Sequence, residues 1–248
     1  ARAIYEKIEK NQKVYLDLRH LGIDKIKELM PQERRLAYDY SNIKIEEQLL
    51  PITPASHYSM GGIKTDINAK TNIKNLFACG ECAEASIHGA NRLGGNSLLE
   101  IVTFGKIAGT NASNDEKNIS KIHTLNKSLK QDEENINKIY NYSNKINFYK
   151  QKDDIGNLLF NNLGLFRNEE KISTLIKKIE ELNLEIENMG IADKSKTYNK
   201  NLVEFLEFRN VLNVALLVSI SALNRKESRG SHFRLDYPSE MQKYEKNT

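Results

Sequence analysis

The sequence predicts an α+β region followed by a helical bundle. Residues 1–50 mix helical and strand-like patterns, residues 51–112 are interrupted by Pro and Gly, and beyond 113 the chain is rich in Lys, Asn and Glu with apolar residues at helical spacing. Taken in order, Ala3, Ile4 and Ile8 share one face of a first helix. "KVYLDLRHL" alternates as a strand does, and Ile23, Ile26 and Leu29 form a second helical face that Pro31 ends. The segment "PITPASHYSMGGIKTD" has no helical period and precedes a short apolar strand, "NLFACG". Four helices are expected after it, over Leu125–Ile139, Leu158–Phe166, Ile172–Ile186 and Leu202–Leu223. The last is apolar around most of its circumference and is expected at the centre of the bundle. "KESRGSHFRLDYP" then leaves the helical pattern.

A chain of 248 residues, 39% hydrophobic and 28% charged, can build a sizeable core and shows no apolar run near the ~20 residues of a membrane span. The net charge of +4 comes from 37 basic residues interleaved with 33 acidic ones, which argues against nucleic-acid binding. "ARAIYEKIEK" lacks the apolar core of a signal peptide, and a chain that starts without Met inside an amphipathic helix is expected to be part of a longer one. Cys79 and Cys82 have CxxC spacing, but two thiolates cannot complete a tetrahedral zinc site. They are expected to be small buried packing residues beside a turn.

The densest chemistry lies in "HGANRLGGNSLLE", His88 to Glu100. Ser97 followed by Glu100 is a capping box and predicts a helix starting at Ser97, with Glu100 reaching back to the Ser97 amide. Gly94 and Gly95 let another group approach the backbone there, and the free amides of a helix start favour negative charge. Arg92, outside the glycine turn, is permanently charged and can hold a carboxylate through two parallel hydrogen bonds. His57 stands upstream beside a second glycine pair.

"HYSMGGIKTD", "NLFACGECAEASIHGANRLGGNSLLE" with "FGKIAG" after it, and "RKESRGSHFRLDYP" together resemble the flavoprotein subunit of succinate dehydrogenase and fumarate reductase, in the superfamily that also contains L-aspartate oxidase. The resemblance is dense over 51–109 and recurs at 204–238. It implies the end of a capping domain (1–50), the C-terminal part of a Rossmann-like FAD-binding domain (51–112) and a C-terminal helical domain (113–248). It also implies interconversion of fumarate and succinate by hydride transfer at FAD N5, with electrons exchanged through an iron–sulfur subunit to quinone.

Residue by residue, the resemblance makes His57 and Arg92 the substrate-carboxylate ligands and Glu81 an acidic contact to FAD. Asn96, Ser97 and Leu98 match positions whose backbone lies against the flavin. No glycine-rich dinucleotide fingerprint and no His motif for covalent FAD attachment are present. The proton-shuttling Arg of the family is expected upstream of Ala1, so the chain is expected to carry no catalytic residue of its own and to be inactive in isolation. A membrane anchor subunit and a place at the bacterial inner membrane, on the cytoplasmic face or in exported relatives the periplasmic one, are also implied. Two rival readings are L-aspartate oxidase and a non-catalytic helical interaction module.

Overall fold

The computed structural model describes residues 1–115 and 125–245. Within the expected helical domain, 116–124 and 246–248 lie outside the described residues. The chain divides into two compact units, Ala1–His57 and Tyr58–Thr248.

In the first unit, α1 (Arg2–Glu9) buries Tyr5, and β1 (Tyr15–Leu16) pairs antiparallel with β2 (Leu50–Pro51). The expected strand of nine residues shrinks to two. Asp17 accepts hydrogen bonds from the Arg19 amide and guanidinium and turns the chain into a short 3-10 segment at Arg19–Leu21. Helix α2 (Gly22–Leu29) stops as Pro31 predicts, but a further helix, α3 (Pro31–Ser41), begins on that same proline. At the first helical position the fixed φ of proline suits the helix and its missing N–H is no loss. Asn42, left-handed at φ 52°, ends α3. Ile26, Ala37 and Ile45 form this unit's small core.

The second unit opens with two short strands, β3 (Ile63–Lys64) and β4 (Ala83–Glu84), paired in parallel. "NLFACG" is not the strand expected: only Phe77 makes a bridge, to Lys70. Asp66 accepts the amides of Asn68 and Lys70 and folds the chain back, so the Ala78 amide meets Ala69 O. Local side-chain bonds have replaced a sheet ladder.

The helices are α4 (Asn96–Asp115), α5 (Leu125–Tyr140), α6 (Phe148–Leu163), α7 (Glu169–Leu184) and α8 (Lys200–Asn224). Helix α6 starts ten residues before its apolar pattern, because the Asn147 side chain accepts the Tyr149 and Lys150 amides. Helices α6, α7 and α8 pack together around Phe148, Ile155, Ile172, Leu175, Ile179, Phe205, Phe208 and Leu212. Each such side chain, fully buried, contributes roughly 1.5–3 kcal/mol.

Helix α8 departs from expectation twice. Contrary to the expectation of no apolar run near the length of a membrane span, its most apolar 18-residue window has a mean hydropathy of 1.4, enough by length and composition alone to cross one, a test that core helices also pass. It also buries one face only: Val203, Val214, Leu217 and Val218 are exposed. Apolar residues around the circumference therefore mark a helix packed on one side here.

The start of α8 is held by Asn199, which accepts the Leu202 amide and donates to Asp193 O and Ser195 O. Asn199→Ala is expected to destabilise this unit by about 1–2 kcal/mol, read as a lower denaturation midpoint. An unchanged midpoint would mean that the cap is dispensable.

Candidate functional site

The β3–β4 pair brings the "HYSMGG" and "CGECAE" segments side by side. Ile63 donates to Cys82 O at 2.9 Å and Thr65 to Glu84 O at 3.1 Å. The strands meet this closely because Gly62, at φ 136°, has no side chain; a Cβ there would lie 2.3 Å from Cys82 O. The preceding Ser59 amide donates to the Glu81 carboxylate at 2.9 Å, so the exposed Glu81 ties the two motifs together. Cys79 is half-buried and Cys82 exposed, both as free thiols. Cys82 is therefore not the buried packing residue expected of it.

Beside this pair lies a polar cluster. Glu100, just past the first turn of α4, is 2% exposed, and its Oε2 accepts from the Tyr58 hydroxyl at 2.7 Å and lies 2.7 Å from His88 Nε2. The Tyr58 and His88 rings meet edge to face, 5.4 Å between centroids. Burial, together with the Glu100 hydrogen bond and charge, pushes the Tyr58 phenol up to about 12. It stays protonated and donates to the carboxylate throughout the physiological range.

This geometry corrects the capping-box expectation. Helix α4 begins at Asn96, one residue early, and among the described residues Glu100 makes no bond back to the Ser97 amide. A buried carboxylate gains more from a phenol and an imidazole than from one solvent-accessible amide.

Arg92 lies over the Tyr58 ring, its guanidinium carbon 4.3 Å from the centroid. Its Nη1 donates to Leu93 O at 3.1 Å, while its Nε is buried without a hydrogen-bond partner. A buried N–H of a guanidinium left empty is costly unless something else fills it. Nε and the neighbouring Nη2 form one edge of the guanidinium fork, and that edge matches a carboxylate.

The C-terminal motif supports the loop carrying Arg92. Ser231 donates to Ala90 O through both its amide and its hydroxyl, at 3.1 and 3.2 Å. Gly230, at φ 58°, packs so tightly that a Cβ would lie 2.4 Å from Ala90 O. Gly230→Ala is expected to destabilise the unit by about 1–3 kcal/mol through strain and displacement of residues 90–92, seen as a lower melting temperature. Wild-type melting would contradict the close packing.

A family model described as "FAD binding domain" matches residues 1–98, and one described as "Fumarate reductase flavoprotein C-term" matches residues 152–248. The fumarate reductase flavoprotein subunit of a Serratia strain is 39% identical over 225 residues, 90% of this chain and 38% of that protein. The succinate dehydrogenase flavoprotein subunit of Coxiella burnetii is 34% identical over 92% of this chain and 41% of its own length. A solved structure of E. coli quinol fumarate reductase superposes with a TM-score of 0.91 at 35% identity, over 97% of this chain and 43% of that one.

Over nine tenths of its length the chain is similar to flavoprotein subunits of fumarate reductase and succinate dehydrogenase. It spans about two fifths of the length of the relatives it matches. Its mostly helical structure with few strands agrees with a piece of the family's FAD domain joined to its C-terminal helical region.

Of the residues singled out in the sequence, Glu81, Arg92, Asn96, Ser97 and Leu98 all lie in the second unit. Exposed His57 is the last residue of the first. Sequence reasoning missed Tyr58, His88 and Glu100 as a cluster. The signals present were a Tyr directly after His57 and an unassigned His opening the motif; the capping-box pattern gave Glu100 another occupation.

Proposed function

We propose that this chain is the C-terminal part of a flavoprotein subunit that interconverts fumarate and succinate. On this reading 1–50 ends a capping domain, 51–112 completes a FAD-binding domain and 113–248 is the helical domain. The observation that carries the proposal is Arg92, whose guanidinium stands on Tyr58 with a buried Nε still to be paired. A dicarboxylate supplies the missing acceptor.

FAD, when bound, supplies two-electron hydride exchange with a carbon of the four-carbon dicarboxylate. The residues present fit such a group. Nothing lies within 4 Å of a Cβ built at Gly94 or Gly95, and Leu98, Leu99, Ile101 and Val102 on α4 are exposed, an open apolar surface beside a helix start. Asn96, Ser97 and Leu98 would hold the flavin there and Glu81 would contact FAD. The Asn96 and Leu98 amides donate to Leu93 O and Gly95 O, and the positive end of the α4 dipole favours negative charge beside them.

Arg92 binds and orients the substrate carboxylate, and its fixed charge draws electron density from the adjacent carbon. His57 is a carboxylate ligand on this reading by its place in the "HYSMGG" motif alone. In the cell the complete subunit works with an iron–sulfur subunit and a membrane anchor subunit, exchanging electrons with quinone at the cytoplasmic face of a bacterial inner membrane.

The names of the relatives favour this reading over L-aspartate oxidase and over a helical interaction module. A substrate screen of a full-length subunit tests it. The proposal expects fumarate-dependent oxidation of a reduced donor and no oxygen consumption with L-aspartate; the reverse pattern would replace it with the oxidase.

A further inference from the structure

We propose that Tyr58, His88 and Glu100 form a positioning relay that sets the plane of the Arg92 guanidinium for its carboxylate ligand, with Tyr58 as the platform and Glu100 as its buried anchor. This deepens the proposed function and rests on Arg92 being the substrate-carboxylate ligand.

Arg92 has one described polar tether, the bond from Nη1 to Leu93 O in its own loop, and a single bond leaves the guanidinium free to rotate. The second constraint is the face of Tyr58 at 4.3 Å, which favours one orientation of the planar cation. That face is itself fixed at two points. Its hydroxyl donates to Glu100 Oε2 at 2.7 Å, and its ring meets His88 at an interplanar angle of 89°. The anchor is out of solvent, since the His88 and Glu100 side chains are 9% and 1% exposed.

The Tyr58 hydroxyl donates to Glu100 Oε2 and His88 Nε2 lies 2.7 Å from the same oxygen, so the polar ends of both side chains are engaged at Glu100 and not at Arg92. The guanidinium thus has a flat apolar support beneath it and no acceptor from the relay competing for its Nε. Glu100 lies on α4, the helix whose start the proposed function sets against the flavin. The relay would therefore hold the carboxylate clamp and the flavin-facing helix in register, which a loop-borne Arg could not do alone.

The test uses a full-length flavoprotein subunit in its complex, with Tyr58→Leu, Tyr58→Phe and Glu100→Gln. Malonate, an unreactive dicarboxylate, is titrated by calorimetry, and KM and kcat for fumarate are measured beside it. Tyr58→Leu is expected to weaken malonate about tenfold, the order of a desolvated cation–aromatic contact. Tyr58→Phe, which keeps the ring and loses the anchor, is expected to weaken it about threefold, as is Glu100→Gln. KM for fumarate should rise in step while kcat changes less, because these variants loosen the orientation of Arg92 and leave its charge in place.

Tyr58→Leu binding malonate within twofold of wild type would overturn the relay. So would equal losses in Tyr58→Leu and Tyr58→Phe accompanied by equal falls in melting temperature, which would mark Tyr58 as packing alone. A wild-type complex that neither binds malonate nor reduces fumarate would instead remove the proposed function, and the relay with it.

Discussion

Arg92→Ala in a full-length subunit is expected to lower kcat/KM for fumarate about a thousandfold, the scale seen when a fixed donor to developing charge is removed from a water-poor site. The structure explains why no neighbour compensates. Around Arg92 the described partners are the Tyr58 ring and Leu93 O, so its removal leaves an aromatic face and a carbonyl, neither of which binds an anion. Arg92→Lys should recover little of the loss. An ammonium is a point charge without the planar fork, and it cannot lie flat on Tyr58 while offering two parallel N–H bonds. Steady-state kinetics on both variants checks this, and near-normal rates in either would remove Arg92 from the substrate site.

The second large effect concerns stability. Arg234 is fully buried and holds Asp236 with two bonds of 2.7 Å, while its Nη1 donates to Ala222 O and Leu223 O at the end of α8. Asp236 in turn accepts the Glu169 amide at the start of α7, so one ion pair ties two helix ends together. Arg234→Met is expected to cost about 3–5 kcal/mol, because it strands a carboxylate and uncovers two helix-terminal carbonyls.

The Arg234 hydrogen bonds hold the Asp236 carboxyl down at about 2, against 3.8 for an ordinary Asp. A carboxyl depressed on folding contributes stability that is complete above its unfolded value and disappears as pH falls through its folded value. The pair should therefore contribute about 2 kcal/mol above pH 4, lost progressively toward pH 2. Denaturant unfolding of wild type and Arg234→Met from pH 6 to pH 2 checks both the size and the slope. A difference between the two that does not narrow with acid would refute the pairing.

The helices were legible because their signal is local. Apolar residues at three- and four-residue spacing mark α5, α7 and α8 to within three residues at each end. What escaped were features decided by single polar side chains: Asp17 truncating a strand, Asp66 folding "NLFACG" out of a sheet, and Asn147 extending α6 backward. The site divides in the same way. Arg92 and the glycine turns stand out in the sequence as chemistry. The destination of Glu100 does not, because it depends on Tyr58, 42 residues away, and a local capping pattern competes for the same residue. The one-sided burial of α8 is likewise a tertiary outcome, since its composition would suit burial on every side.

The central claim, that these residues serve a flavin-dependent exchange between fumarate and succinate, is tested most directly by the visible spectrum of a purified full-length subunit. The subunit is reduced anaerobically and then mixed with fumarate. The account predicts a flavin spectrum that bleaches on reduction and returns on addition of fumarate in wild type, with return at least a hundredfold slower in Arg92→Ala. A protein without flavin absorbance, or a bleached flavin that fumarate leaves unchanged in wild type, would contradict it.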